Sequence, residues 1–231
     1  MAPKRALRSA GTVAATGVEA VSSPAKRARP ARKTKEPKKE SKTESAAEPV
    51  DTTTTGGPAY WLFKAEPESR LVDGVDVKFS YYDLENDGSA HWDGVRNYEA
   101  RNCMQRMKVG DLGFFYHSNC KVPGIVGILR VKKEAYVDFT AFDTKHPYYD
   151  AKSVEEKPKW FMVDVEPVRR LGRLVSLQEI KDLTASDGAK SPLADMALLR
   201  RSRLSVGPVR ESEWNYLLEL AAKPVPEEDH E

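Results

Sequence analysis

Every aromatic residue of this chain lies at or after Tyr60, and this segregation limits where a folded core can form. The sequence of 231 residues contains 4 Trp, 9 Tyr and 7 Phe, and none of them falls within residues 1–59. A segment without aromatic residues buries too little apolar surface to offset the entropy cost of ordering it. We therefore expect residues 1–58 to form a disordered tail and residues 59–222 to form one domain.

The net charge of +2 conceals the same division of the chain. Residues 1–59 carry 12 basic and 6 acidic side chains, whereas residues 60–222 carry 24 basic and 25 acidic ones. Residues 223–231 form a short acidic C-terminal tail. A near-neutral domain does not bind nucleic acid tightly through phosphate neutralisation alone. If the domain binds nucleic acid, its selectivity must come from a pocket, and the basic tail would supply general affinity.

Two basic clusters in the tail predict a nuclear location. Short runs rich in Lys and Arg act as nuclear localisation signals or contact nucleic acid. A solvated linker and a mitochondrial presequence are the alternatives, and Pro3, Gly11 and Gly17 disfavour the amphipathic helix that a presequence needs. No stretch approaches the ~20 apolar residues that span a bilayer, so we expect no membrane partner. The residues expected to bind nuclear import receptors are Lys4, Arg5, Arg8, Lys26, Arg27, Arg29, Arg32 and Lys33.

Hydrophobic periodicity predicts short strands and helices that alternate along the domain. The apolar run at residues 60–63 indicates a buried first strand. Apolar residues spaced three and four apart, from Ala100 to Met107, predict a helix over residues 97–108 with Asn97 as its N-cap. Further strands are predicted at 112–116, 124–131, 160–168 and 204–206, and further helices at 176–183, 192–201 and 212–222. This mixture favours an α+β domain built around a small barrel.

The motifs of common enzymes are absent from the sequence. There is no glycine-rich phosphate loop, no nucleophile elbow and no zinc-ligand spacing. The domain is therefore expected to hold no metal and no cofactor and to have no catalytic activity. Asp93 and Glu66 are the carboxylates that an alternative hydrolytic function would use.

Several unusual strings carry a resemblance to a known family. Residues 61–67 read WLFKAEP, residues 92–102 read WDGVRNYEARN and residues 115–119 read FYHSN. Matching strings follow at 123–127, 147–150, 160–165 and 203–206. In this order and spacing they resemble the EVE domain of the PUA-like superfamily, over about residues 60–220. With its basic tail, the chain also resembles the thymocyte nuclear protein family.

The resemblance implies both a fold and a function. PUA-like domains are small, partly open β-barrels with flanking helices, and they bind nucleic acid. EVE domains are regarded as readers of modified bases, and the resemblance implies a monomer that binds 5-hydroxymethylcytosine in DNA without catalysis. The alternatives are a reader of modified RNA bases, an enzyme that acts on a modified base, or a protein-interaction adaptor.

A reader of modified bases needs stacking surfaces, polar groups and cations, and each is found within the matching strings. Trp92 is the first candidate for stacking on the base, and the alternative is that it packs beneath the barrel. For Asn97 the alternative to base binding is a role as a helix cap, and for His117 it is a position facing solvent. The predicted pocket comprises Trp92, Asp93, Asn97, Tyr98, Tyr116, His117, Ser118, Asn119, Tyr149 and Ser205. The predicted phosphate contacts are Lys64, Arg96, Arg200 and Arg203, of which the arginine run could also be a solvated face.

Overall fold

The computed structural model describes residues 57–224. The predictions for the N-terminal tail, its localisation signals and the acidic C-terminus lie outside these described residues. The strands are β1 (Tyr60–Ala65), β2 (Leu71–Val72), β3 (Val75–Asp76), β4 (Ala90–Trp92), β5 (Leu112–His117), β6 (Gly124–Val137), β7 (Phe161–Ser176) and β8 (Val206–Val209). The α-helices are α1 (Tyr81–Asp87), α2 (Tyr98–Met104), α3 (Leu177–Asp187), α4 (Ala197–Arg200) and α5 (Glu211–Ala222). No helix within 57–224 is long and apolar enough to cross a bilayer.

Six strands form one mixed sheet in the order β4-β7-β6-β5-β1-β8. Strand β1 pairs in parallel with β5, and its other edge pairs antiparallel with β8. The two end strands, β4 and β8, are not hydrogen-bonded to each other in the described part of the chain, so the sheet is not a closed barrel there. The mixed α+β class is confirmed, and the PUA-like barrel stays a prediction.

Both faces of the central strands are buried, which explains their continuous apolar sequence. Side chains alternate between the two faces of a strand. Trp61 and Phe63 of β1 therefore pack with Phe115 in one hydrophobic core, whereas Leu62 packs with Phe114 in a second core on the opposite face. The prediction of a buried first strand at residues 60–63 is confirmed.

The sequence pattern predicts helix α2, whereas helix α1 was not predicted. Helix α2 begins after Asn97, whose side chain accepts hydrogen bonds from the backbone amides of Glu99 and Ala100, and it ends four residues before the predicted boundary. Helix α1 begins with a capping box between Ser80 and Asp83 and ends before Gly88, a pattern that marks a helix even over seven residues.

The remaining elements differ from the predictions mainly in length. Strand β7 continues to Ser176, eight residues beyond its predicted end, because it pairs along its length with the long strand β6. Helix α4 has only four residues of the predicted 192–201, and β8 lies two residues later than expected. Strands β5 and β6, helix α5 and the start of α3 agree with the predicted positions within a few residues, apart from the longer C-terminal end of β6.

Candidate functional site

A cavity of about 600 Å³ opens beside the end of β1. Its walls come from six places: the end of β1, residues 75–79, residues 91–96 at the end of β4 and after it, Ser118 after β5, a loop at residues 146–148 and a turn at residues 202–205. Ligand pockets usually have volumes of about 300–1,000 Å³. The cavity is therefore large enough to enclose a small-molecule group or a nucleobase.

Half of the predicted pocket and phosphate residues line this cavity. Although far apart in sequence, they are brought together because β1 and β5 are adjacent and the turn before β8 lies at the same end of the sheet. The residues that line it are Lys64, Trp92, Asp93, Arg96, Ser118, Arg203 and Ser205. The residues that do not line it are Asn97, Tyr98, Tyr116, His117, Asn119, Tyr149 and Arg200.

Several of the residues outside the cavity have local structural partners. Asn97 caps α2 through its side-chain oxygen. The ring of Tyr98 stacks on the indole of Trp160, with the ring centroids 4.8 Å apart. The His117 imidazole accepts a hydrogen bond from the backbone amide of Tyr81 at 3.2 Å. These side chains help to build the domain that carries the cavity.

The other residues outside the cavity lie on separate surfaces. Tyr149 follows the cavity loop, but its side chain is 42% exposed and does not line the cavity. Arg200 forms an exposed ion pair with Asp195. Tyr116 and Asn119 line a smaller recess next to the cavity.

Trp92 is packed in the core and also borders the cavity. Its indole is 7% exposed and makes edge-to-face contacts with Phe63, Phe79 and Phe115, with centroids 5.0–6.0 Å apart. It also lines the cavity. Because the surrounding rings hold the indole in one orientation, Trp92 is a rigid aromatic wall.

Asp93 is a partly buried carboxylate that lines the same cavity. Among residues 57–224 it has no hydrogen-bond partner, and its electrostatic neighbours include Asp138, His146 and Arg96. Burial raises the pKa of Asp93, and the negative charge of Asp138 raises this pKa further. A carboxylate with unused acceptor positions is suited to bind a ligand that donates hydrogen bonds.

Arg96 holds two walls of the cavity together. Its Nε donates a 2.7 Å hydrogen bond to the backbone carbonyl of Tyr148, and one terminal nitrogen forms a 2.7 Å ion pair with Asp138, whose side chain is fully buried. Burial opposes ionisation of Asp138, but hydrogen bonds from Arg96 and Thr140 outweigh it and keep the pKa of Asp138 below its usual range. These contacts give Arg96 a positioning role, and its predicted phosphate contact stays a prediction.

Tyr148 is an aromatic residue of the cavity that the sequence reading missed. It was one of two adjacent tyrosines in the string at 147–150, and the structure places Tyr148, not Tyr149, at the cavity. Phe79, His146 and Glu66 also line the cavity and were not predicted as base-binding residues. No periodic pattern marks loop residues such as Phe79 and His146, so sequence spacing could not have identified them.

The cations around the cavity fall into two groups. Arg70, Lys78 and Arg96 are all ion-paired with carboxylates. Among the residues that the structure describes, Lys64 and Arg203 have no acidic partner, and burial lowers the pKa of Lys64. Unpaired cations at the edge of a cavity favour an anionic ligand.

The described chain offers no cluster for a metal ion. Within residues 57–224, no group of three or more His, Cys, Asp or Glu side chains is arranged to bind one. The side chains that line the cavity include aromatic rings, hydroxyls, carboxylates and cations.

Comparison with known proteins places this chain in a family. The profile of the EVE domain matches residues 59–220, which include every element of the sheet. The chain belongs to the EVE domain family. Mouse thymocyte nuclear protein 1 is 51% identical over 164 residues, which cover 70% of this chain and 73% of the mouse protein. An uncharacterised protein from Schizosaccharomyces pombe is 43% identical over 174 residues, which cover 73% of this chain and 71% of the yeast protein.

Solved structures show the same EVE fold. The crystal structure of human THYN1 in complex with 5-methylcytosine-containing DNA is 48% identical and superposes with a TM-score of 0.71, covering 72% of this chain and 99% of that one. A protein from Pseudomonas putida is 41% identical with a TM-score of 0.61, covering 71% of this chain and 99% of the bacterial one.

Proposed function

We propose that this protein is a non-enzymatic reader of modified cytosine in DNA and that it holds the modified base in the cavity beside Trp92. The observation that carries the proposal is the partly buried, unpartnered Asp93 carboxylate next to a rigid indole. The human relative in complex with 5-methylcytosine-containing DNA supports the class of ligand.

The cavity has the features that an extruded base requires. A base that leaves the duplex loses stacking energy of a few kcal/mol, and aromatic side chains restore part of it. Trp92 and Tyr148 supply aromatic surfaces in the cavity. The volume of about 600 Å³ leaves room for a sugar as well as the base.

The polar groups of the cavity match cytosine. The exocyclic amine of cytosine donates hydrogen bonds, and a carboxylate is the side chain that accepts them most strongly. Asp93 supplies this acceptor, and the hydroxyls of Ser118 and Ser205 line the same space. A hydroxyl can both donate and accept, so it can pair with the hydroxymethyl group of 5-hydroxymethylcytosine. We therefore propose 5-hydroxymethylcytosine as the preferred base.

A binding panel tests the proposal. The full chain is titrated, at one stated salt concentration, into identical duplexes that contain cytosine, 5-methylcytosine or 5-hydroxymethylcytosine at one position, and into matching RNAs. We expect the hydroxymethylated DNA to bind about tenfold more tightly than the plain DNA, since one good base contact contributes about 1–3 kcal/mol. Equal affinity for all duplexes would overturn the proposal, and a preference for the RNAs would replace DNA by RNA as the ligand.

Catalysis and cellular location are tested separately. Mass spectrometry of the hydroxymethylated DNA after incubation with the protein should show no new product; conversion of the base would make the protein an enzyme.

We also propose that residues 1–58 direct the protein to the nucleus through the two basic clusters. A fluorescent fusion should lose nuclear accumulation when both clusters are neutralised, and unchanged accumulation would contradict this role.

A further inference from the structure

A second, smaller recess adjoins the cavity. Its volume is about 180 Å³, and it shares Lys64, Ser118 and Ser202 with the larger cavity. An engineered protein cavity of about 150 Å³ accommodates benzene, so this recess has the size of a single six-membered ring. The predicted pocket residues Tyr116 and Asn119 line this recess.

The recess combines apolar and polar surfaces in the manner of a ligand pocket. Tyr116, Leu177 and Leu198 are buried or partly buried beneath it. Asn119 is exposed at its edge, and its amide donates a 3.4 Å hydrogen bond to Glu66, a residue of the larger cavity. Asn119 thus connects the two spaces directly.

Lys64 lies between the two spaces and has no carboxylate counter-ion among residues 57–224. Its ammonium group donates a 2.8 Å hydrogen bond to the backbone carbonyl of Ser202 and lies 5.8 Å from the centre of the Tyr116 ring. Within the described residues no carboxylate is ion-paired with it. A partly buried ammonium without a carboxylate partner favours the binding of an external anion. Arg203, at the edge of the larger cavity, is also without an ion pair among residues 57–224.

We propose that the recess binds the nucleotide next to the modified cytosine and that Lys64 binds the phosphate between the two nucleotides. This inference rests on the proposed function. In this proposal the strand whose base enters the larger cavity continues past the shared wall of Lys64, Ser118 and Ser202, and successive nucleotides are joined by one phosphate. The larger cavity would therefore hold the modified base, the Lys64 ammonium would contact the phosphate that follows, and the recess would hold the neighbouring base.

Removing single bases from the DNA tests whether the recess binds a neighbouring nucleotide. In duplexes with 5-hydroxymethylcytosine, the nucleotide on its 5′ side or on its 3′ side is replaced by an abasic spacer. We expect one of the two spacers to weaken binding of the full chain severalfold and the other to have little effect. In Asn119→Gly, which suits the positive φ of 52° at this position, the difference between the two spacers should shrink.

Salt dependence tests Lys64. When the logarithm of the affinity is plotted against the logarithm of the salt concentration, each phosphate contact contributes about 0.7–0.9 to the magnitude of the slope. Lys64→Gln should lower the slope by nearly this amount while the ratio of affinities for modified and plain DNA is retained. Lys190→Gln removes an exposed lysine outside both spaces and is the control. Arg203→Gln is a second, surface variant in case Lys64→Gln unfolds.

The outcomes separate this inference from the function on which it rests. If the wild-type protein does not discriminate between modified and plain DNA, the proposed function fails. If it discriminates, but neither spacer weakens binding and Lys64→Gln keeps the wild-type salt slope, the function stands and the neighbouring-nucleotide site is overturned.

Discussion

The ring of Tyr148 occupies the space that a Cβ atom on residue 94 would need. Gly94 has a φ of +69°, and a Cβ built on it would overlap the Tyr148 ring. Its backbone amide also donates a 3.0 Å hydrogen bond to the buried Asp138. A glycine in this position therefore allows the tyrosine to approach the segment that carries Trp92 and Asp93.

Gly94→Ala should destabilise the domain and weaken recognition of the modified base. The positive φ costs roughly 1–2 kcal/mol for a residue with a Cβ, and the overlap must displace Tyr148 as well. Gly74→Ala is the matched control, because Gly74 has a φ of +81° and open space around it. Thermal unfolding and DNA titration should show a larger stability loss and a binding defect for Gly94→Ala. If the two variants behave alike, the contact with Tyr148 has no role.

Arg96→Met should lower the free energy of unfolding by about 3–5 kcal/mol. The substitution leaves the carboxylate of Asp138 buried without its cation, which is among the most destabilising changes in a protein interior. The control is Arg200→Met, which breaks an exposed ion pair with Asp195 and should cost less than about 1 kcal/mol. Denaturant unfolding measures both, and equal losses would contradict the positioning role of Arg96.

Asp93→Asn should stabilise the domain at neutral pH. Because burial and Asp138 raise the pKa of Asp93, the folded state holds the proton more tightly than the unfolded state does. This contribution to stability is present below the ordinary pKa of 3.8 and is lost as pH rises through the raised value. The stability gain of Asp93→Asn should therefore appear at pH 7 and disappear near pH 3. A gain that persists at low pH would show that ionisation is not its cause.

The same variant should bind modified DNA about tenfold more weakly at pH 7. A neutral amide accepts hydrogen bonds from the cytosine amine less strongly than a carboxylate does. Asp187→Asn makes the same charge change on an exposed residue outside the cavity and should leave the ratio of affinities unchanged. Wild-type discrimination should also fall as pH drops through the raised pKa of Asp93. Retained discrimination in Asp93→Asn would remove this carboxylate from base recognition.

Trp92→Phe separates base recognition from core packing. Trp214→Phe is the matched control, since Trp214 is 4% exposed, against 7% for Trp92, and stacks on Phe114 in the second core. Both variants should lose about 1–3 kcal/mol of stability through cavities of similar size. Titration should show weaker discrimination of the modified base only in Trp92→Phe. Equal discrimination in the two variants would assign Trp92 to packing alone.

The sequence predicts most of the strands and helices, because a strand or helix that buries one face carries apolar residues at regular spacing along the chain. The apolar run in β1 and the spacing of Ala100, Cys103 and Met104 in α2 follow directly from which faces are buried. Lengths were less well predicted, since β7 is extended by pairing with β6 rather than by a pattern of its own.

Only part of the candidate site could be predicted from the sequence. Its residues come from loops and strand ends, where position in space is not tied to sequence spacing. The string at 147–150 indicated an aromatic residue. The structure shows how this loop is held against the cavity, through the hydrogen bond from Arg96 to the carbonyl of Tyr148 and the packing of the Tyr148 ring on Gly94. Asn97 satisfied both a helix-cap pattern and a binding pattern, and the structure uses it as the cap.

The most direct test of the central claim is the crystal structure of this protein with DNA that contains one 5-hydroxymethylcytosine. The account predicts that the modified base lies outside the duplex, against Trp92, with its exocyclic amine within about 3 Å of the Asp93 carboxylate. A modified base that remains stacked in the duplex, or that occupies another part of the surface while the cavity stays empty, would contradict it.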